Sequence, residues 1–307
     1  MSALSWPRAV DIREVGPRDG LQIETPISTE AKSRLLDALI ATGVGRIEAT
    51  AFVSPRAVPA MADAAEIAGY IGGLGPGGPE WSALVASPNG ARRATEAGFR
   101  TIEYVVSAAE GHSRANARRG TEQATEAVAE VAEVVHGVGG RLEVIIATAW
   151  DCPFDGPTEP ARTVGVARRA IELGADQLCL GDTIGTTSPA RVVALLDAVG
   201  AVADGRPLGA HFHNTRGMGI ANALAAVQAG VTQLDASVGG LGGCPFAPGA
   251  SGNIATEELV YLLDDAGVET GVDLEAVLHA AALARDLVGH PLESDLFRAG
   301  GRNRPRG

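Results

Sequence analysis

The sequence predicts a single (β/α)₈ barrel followed by an extra C-terminal helix. Three observations predict it. Short apolar runs alternate with longer stretches of helical spacing, and there are eight such units in the 307 residues. The connections are short, as parallel strand–helix units require. Polar and ionisable residues gather just after the predicted strands, whereas the strand starts carry mostly Gly, Ala and Val; barrel chemistry sits at the C-terminal strand ends. The competing architecture, a doubly wound open sheet, would show fewer strands, and no Gly-x-Gly-x-x-Gly follows the first strand here.

Taken in order, the predicted strands are Val10–Val15, Arg46–Thr50, Ser82–Ala86, Thr101–Val106, Leu142–Thr148, Asp176–Leu180, Leu208–His213 and Gln233–Ser237. The helices between and after them are Ser28–Thr42, Val58–Ile71, Gly90–Ala97, Thr121–Val138, Glu159–Leu173, Pro189–Ala203, Ile220–Ala229 and Thr256–Ala266. Ser28 is placed to cap the first of them, ahead of Leu35, Leu36, Leu39 and Ile40 at helical spacing. Gly43, Gly72, Gly98, Gly139, Gly174 and Gly230 stand where left-handed C-caps belong. The additional helix, Leu274–Leu287, follows the eighth unit and is expected against the barrel wall. Residues 1–290 thus form one catalytic barrel domain. Residues 291–307, Gly- and Arg-rich from Arg298, are expected to be a flexible tail.

Composition narrows the functional class. Hydrophobic residues make up 46% and charged residues 20%, which is globular; aromatics at 4% leave the core to Ala, Val, Leu and Ile. A net charge of −12 argues against a nucleic-acid partner but not against an anionic small molecule, for which a few local arginines suffice. Cys152, Cys179 and Cys244 are odd in number, far apart and without a C-x-x-C, which fits a reducing compartment. The first ten residues carry no apolar h-region, and no run approaches the ~18 apolar residues of a membrane helix. A soluble cytoplasmic protein, away from membranes, is expected.

The strand ends carry the chemistry. His211 and His213 lie two apart on one strand and point the same way, so both imidazoles can reach one ion. Gly16-Pro17-Arg18-Asp19-Gly20-Leu21-Gln22 follows strand one, strand two carries Glu48 close to its end, and Glu110, His112, Arg114 and Asn116 follow strand four. Gly181-Asp182-Thr183 follows strand six; Gly239 to Pro245, then Ser251-Gly252-Asn253, follow strand eight. Each has a plain alternative. Asp19 fits an Asp-Gly turn, Asp182 a turn cap, Glu48 an ion pair, Cys244 a small packed side chain and Asn253 a helix cap. A barrel sends all of them to one mouth. The glycine-rich run lacks Gly-Lys-Ser/Thr, so it is not a phosphate loop of the Walker type; a mobile flap carrying Cys244 is the functional alternative.

Longer motifs support a family resemblance. Glu14-Val15-Gly16-Pro17-Arg18-Asp19-Gly20-Leu21-Gln22, Ser54-Pro55 through Met61-Ala62-Asp63, Leu180-Gly181-Asp182-Thr183-Ile184-Gly185, Gly240-Leu241-Gly242-Gly243-Cys244-Pro245 and Ala250-Ser251-Gly252-Asn253 occur in that order. From about Val10 to Leu287 the chain resembles the 3-hydroxy-3-methylglutaryl-CoA lyase family, within the metal-dependent lyase and Claisen-type TIM-barrel group. The resemblance implies a divalent metal, Mg²⁺ or Mn²⁺, on Asp19, His211, His213 and Asn253. It implies retro-Claisen cleavage of a 3-hydroxyacyl-CoA, with Arg18 at the thioester oxygen and Cys244 as the acid that protonates the enolate carbon. His211 would share proton transfer, Glu48 and Asp182 would assist it, and Gln22 and Asn116 would bind substrate in the mouth. The expected partners are an acyl-CoA substrate and further copies of the chain in a homodimer or higher homo-oligomer. Arg92, Arg93, Arg118 and Arg119 are candidate CoA contacts, although paired arginines on helices more often face solvent.

The sequence departs from the family after His213. Asn214 and Arg216 stand in His213-Asn214-Thr215-Arg216-Gly217, where the family run is His-Asp-Thr-Tyr-Gly; Gly239 and Phe246 replace Ala and Tyr, and Ile23 replaces Asn. No proposed ligand is lost. The acyl part of the substrate is what these changes affect, and Arg216 becomes a candidate for an extra substrate carboxylate. Citramalyl-CoA or a longer 3-hydroxyglutaryl-CoA is therefore the alternative substrate, and an acetyl-CoA condensing enzyme of the isopropylmalate synthase kind is a more distant one.

Overall fold

A computed structural model of the protein describes residues 6–243 and 252–301. Eight parallel strands close into a barrel: β1 (Asp11–Glu14), β2 (Arg46–Phe52), β3 (Glu80–Val85), β4 (Thr101–Ser107), β5 (Arg141–Ala147), β6 (Gln177–Asp182), β7 (Leu208–Phe212) and β8 (Gln233–Ala236). Each pairs with its neighbours in chain order, and β8 pairs back onto β1. All eight predicted strands are present, and every crossover carries at least one helix.

The strands alternate between two environments. Ile12, Ile47, Ile102, Val144, Leu178, Ala210 and Leu234 are buried in the apolar core, which includes Leu35, Leu36 and Leu39 of α1 (Thr29–Ile40). Alternating with them on the same strands are Arg13, Arg46, Glu103, Glu143, Cys179, His211 and Asp235. The apolar core therefore lies between barrel and helices, where burial of such side chains is worth roughly 1.5–3 kcal/mol each. The barrel interior instead holds ions.

The helical caps follow the sequence. Ser28 Oγ accepts the Ala31 N–H at 3.2 Å and starts α1, and Gly43 ends that unit at φ 81°. Gly72 does not act as the expected cap. It lies inside α2 (Ala64–Gly73), and the left-handed residue is Gly75, at φ 79°. The region predicted as one helix over 121–138 is two short pieces, α5 (Thr121–Glu126) and α6 (Val128–His136). An unpredicted helix, α4 (Glu110–Ala117), follows β4. Its composition is polar and it lacks an apolar stripe, so periodicity did not reveal it.

The extra helix, α11 (Leu274–Val288), packs on α1 and on α10 (Thr256–Asp265). Residues 291–301, the first part of the expected tail, lie against the loop after β8. Leu292 is buried against Gly239, Ser294 N–H donates to the Gly239 carbonyl at 3.3 Å, and Ser294 caps a short helix, α12 (Asp295–Ala299). One buried leucine and two anchored amides hold a segment that composition alone reads as loose. Among the described residues no helix is long and apolar enough to cross a membrane.

Candidate metal centre and active-site mouth

The loop after β1 is a tight turn of π-helical geometry over Gly16–Gly20, with Gly20 N–H bonded to the Val15 carbonyl at 3.1 Å. It buries Arg18 and Asp19 side by side. Arg18 Nη1 donates to Asp19 Oδ1 at 2.5 Å, and Gln22 Nε2 donates to the same oxygen at 2.7 Å. Asp19 Oδ2 is left facing inward, 3.9 Å from His211 Nε2 and 3.8 Å from His213 Nε2. The two imidazole nitrogens are 3.2 Å apart. One carboxylate oxygen and two ring nitrogens thus converge on one point, with all three ligand atoms within 4.8 Å of one another.

Asn253 enters from the other side of the mouth. It bridges to His213 in backbone pairing, and its Nδ2 donates to Asp19 Oδ2 at 2.8 Å and to the Leu241 carbonyl at 2.9 Å. Glycines permit this approach. A Cβ on Gly242 would lie 2.5 Å from Asn253 Nδ2, and one on Gly252 would lie 2.2 Å from the Gly240 carbonyl oxygen. Asn253 Oδ1 is buried with no hydrogen-bond partner among the described residues. A buried amide oxygen in that state is costly unless a cation takes its lone pair. The residues present therefore fit a divalent ion: a carboxylate, two imidazoles and an amide oxygen, a set suited to Mg²⁺ or Mn²⁺ and tolerated by softer metals. Electrostatics agrees. Burial opposes the charge on Asp19, but Arg18 and the two histidines outweigh it and hold the carboxyl well below the usual range.

Two further residues complete the centre, one expected and one not. Glu48 is fully buried, with Oε2 2.7 Å from Arg18 Nε, so the ion-pair alternative holds while the pair still belongs to the site. Burial, with Glu103 adding to it, pushes the Glu48 carboxyl up. Asp235 was not singled out in the sequence. Its Oδ2 lies 3.0 Å from His211 Nδ1, which leaves His211 Nε2 facing the convergence point. An aspartate inside a run otherwise read as apolar, Gln233–Ser237, was the available signal.

Above the centre opens a cavity of about 1050 Å³. Gln22 and Asn116 line it, as expected, and so does His112 from α4. His112 is held by Ser107, with Nδ1 2.6 Å from the Ser107 Oγ, and burial lowers its pKa from 6.5 to about 4. Five arginines line the cavity, Arg18, Arg56, Arg93, Arg118 and Arg119, against one described acid, Asp19. A chain of net charge −12 therefore presents a cationic mouth. Arg92 does not join it; it pairs with Glu130 on the surface.

Two expected site residues hydrogen-bond to backbone groups of the mouth loops. Asp182 accepts the Thr186 and Thr187 amides at 3.1 and 3.3 Å, which caps the turn after β6, and it lies close enough to His213 for their charges to interact. Arg216 donates to the carbonyls of Ile184 and Gly185 at 2.9 and 3.3 Å, which ties two mouth loops together. Asn214 Oδ1 accepts the Gly219 N–H at 3.1 Å at the start of α9 (Gly219–Gln228). Cys244 lies outside the described residues; the chain leads toward it from Gly243, which lines the cavity.

Comparison with known proteins gives this arrangement a context. The HMGL-like family model matches residues 9–284. A hydroxymethylglutaryl-CoA lyase of Pseudomonas mevalonii is 42% identical over 271 residues, 88% of this chain and 89% of that protein. An (R)-citramalyl-CoA lyase of Chloroflexus aurantiacus is 39% identical over 301 residues, 95% of each. The structure of an HMG-CoA lyase from Acinetobacter baumannii, in complex with coenzyme A and 3-methylmalate, superposes with a TM-score of 0.91 at 36% identity, covering 100% of this chain and 99% of that one. The fold, the site and the extent of these matches lead to one conclusion: the chain belongs to the HMGL-like family.

Proposed function

We propose that the protein is a divalent-metal-dependent carbon–carbon lyase that cleaves 3-hydroxy-3-methylglutaryl-CoA to acetyl-CoA and acetoacetate. The observation that carries this is the convergence of Asp19, His211 and His213 beneath an arginine-lined cavity. The ion would be Mg²⁺ or Mn²⁺, held by Asp19, His211, His213 and Asn253. When bound, it supplies Lewis acidity that lowers the pKa of the substrate hydroxyl.

The protein's own groups do the remaining work. Arg18 is buried and fixed between Asp19 and Glu48, so its free N–H groups are held in place for the thioester oxygen. As the C2–C3 bond breaks, its electron pair moves into the thioester enolate, and a preorganised donor there stabilises the charge that develops. As the ketone forms, the hydroxyl proton passes to His211, with Glu48 and Asp182 assisting, and it restores the Cys244 thiol once Cys244 has protonated C2. Cys244 then delivers a proton to C2 and releases acetyl-CoA. Arg93, Arg118 and Arg119 supply cations for the phosphates of the CoA moiety. Gln22 keeps Asp19 oriented, and Asn116 hydrogen-bonds the acyl-CoA within the cavity.

A second substrate has support from two observations. The citramalyl-CoA lyase relative covers the whole fold, and Arg216 and Asn214 replace the family residues next to His213. Arg216 acts there on the loop carbonyls of Ile184 and Gly185, so an effect on substrate choice would come through loop position. Assay of a panel of 3-hydroxyacyl-CoA thioesters decides. Hydroxymethylglutaryl-CoA should give the highest kcat/KM. A clear preference for citramalyl-CoA would transfer the assignment, and no cleavage of any member would reject lyase activity.

A further inference from the structure

The barrel interior below the site holds a buried ion cluster that the reaction above does not use. Arg13 from β1 is 2% exposed and is the largest fully buried side chain among the described residues. Its Nε donates to Asp235 Oδ1 at 2.9 Å and its Nη2 to Asp235 Oδ2 at 2.8 Å. On its far side Nη1 lies 2.8 Å from Glu103 Oε1 and Nη2 lies 2.9 Å from Glu143 Oε1. One guanidinium therefore spans the lumen and joins β1 to β8, β4 and β5.

The register explains the direction of this link. Arg13 is paired with Asp235 across β1 and β8, and Asp235 with His211 across β8 and β7. Three neighbouring strands thus carry Arg13, Asp235 and His211 in one row. The Asp235 oxygen that Arg13 Nη2 holds is the same one that faces His211 Nδ1 at 3.0 Å. A bidentate fork fixes the plane of a carboxylate, and a carboxylate fixed in plane fixes the ring that bonds to it.

We infer that Arg13 is a positioning residue for the metal centre: through Asp235 it orients His211 so that Nε2 faces the ion. Stability alone does not account for the cluster. A buried ion network is rarely more stabilising than apolar packing of the same volume, and an apolar lumen would serve a purely structural role. Glu103 and Glu143 anchor the distal end of the arginine, so the fork cannot swing away from Asp235. Lysine would keep the charge and lose the fork.

The inference rests on the divalent-cation reading above, and the test separates the two. Mn²⁺ alone is titrated into metal-stripped wild type, His211→Ala, Arg13→Lys, Asp235→Asn and the Arg13→Lys/Asp235→Asn double variant, with free Mn²⁺ read by electron paramagnetic resonance. Asp235→Asn should weaken Mn²⁺ by ~10–100-fold and Arg13→Lys by roughly tenfold, the range that groups behind metal ligands show. The double variant should bind no more weakly than Asp235→Asn, because both changes act on one path. At saturating Mn²⁺ the KM for acyl-CoA should stay at the wild-type value. Wild-type affinity in a folded Arg13→Lys protein, or losses that multiply in the double variant, would overturn the inference. Unaltered Mn²⁺ binding by His211→Ala would instead reject the metal site itself. If Arg13→Lys fails to fold, Arg13→Gln/Glu143→Gln removes one charge of each sign and is titrated in its place, with the same expected and overturning results.

Discussion

The barrel mouth and the barrel interior both bury charged and polar side chains, yet they arrange them in opposite ways. In the interior, opposite charges meet: Glu103, Glu143 and Asp235 each lie within 2.9 Å of Arg13. At the mouth, electron-pair donors meet one another. His211 and His213 bring their Nε2 atoms to 3.2 Å, Asp19 Oδ2 lies beside them, and the Asn253 Oδ1 is buried without a hydrogen bond from any described residue. In the first pattern every carboxylate has a cation beside it. The second becomes favourable only with a cation among the donors. The lesson is that burial and charge alone do not mark a site; the sign of what converges does.

The contrast predicts distinct responses to substitution. Asp19→Ala should lower kcat/KM by roughly three orders of magnitude or more, several kcal/mol of transition-state stabilisation, with the melting temperature within a few degrees of wild type. Arg13→Met should do the reverse in kind. It leaves buried carboxylates uncompensated and should cost about 3–5 kcal/mol of folding stability, read by denaturant unfolding. If Arg13→Met proved as stable as wild type, the interior would not be held by the pairing of opposite charges. Cys244→Ala should reduce kcat by about 100-fold or more while bound Mn²⁺ stays stoichiometric; lost metal would make Cys244 a ligand.

Two smaller effects sharpen the mouth. His112 has a folded pKa of about 4 against an ordinary 6.5. Between those values the unfolded chain binds a proton that the folded chain does not, so the contribution present above pH 6.5 is lost as pH falls through 4. The stability difference between wild type and His112→Gln should therefore shift against wild type by on the order of 3 kcal/mol between pH 7 and pH 4. A flat difference would mean that the folded ring titrates as it does in the unfolded chain. Arg119→Ala should raise the KM for acyl-CoA about tenfold, more at low salt than at high, with kcat unchanged. Arg216→Ala, on a residue bonded to loop carbonyls, should change KM less than twofold.

The fold was legible because its signal is periodic. Each strand–helix unit repeats the same apolar pattern, and Ser28 and Gly43 mark boundaries that local physics fixes. The mouth was legible because strand ends collect there, which brought Asp19, His211, His213 and Asn253 to one place. Three things were not legible. The lumen cluster was missed because Arg13, Glu103, Glu143 and Asp235 sit singly inside strands read for their apolar neighbours; only barrel closure brings them together. The packing of residues 291–301 runs through long-range contacts such as Leu292 on Gly239, which leave no periodic trace. The expected roles of Asp182 and Arg216 followed from their place in motifs, whereas their hydrogen bonds are to backbone groups of the mouth loops.

The central claim is that the converging donors hold a divalent ion on which acyl-CoA cleavage depends. The most direct measurement follows acetyl-CoA release from 3-hydroxy-3-methylglutaryl-CoA by chelator-stripped protein as Mn²⁺ or Mg²⁺ is titrated back. Activity should be negligible at the start, rise with the occupancy of one ion per chain, and remain negligible in His213→Ala at the same concentrations. Full turnover by the stripped protein, or equal recovery in His213→Ala, would contradict the account.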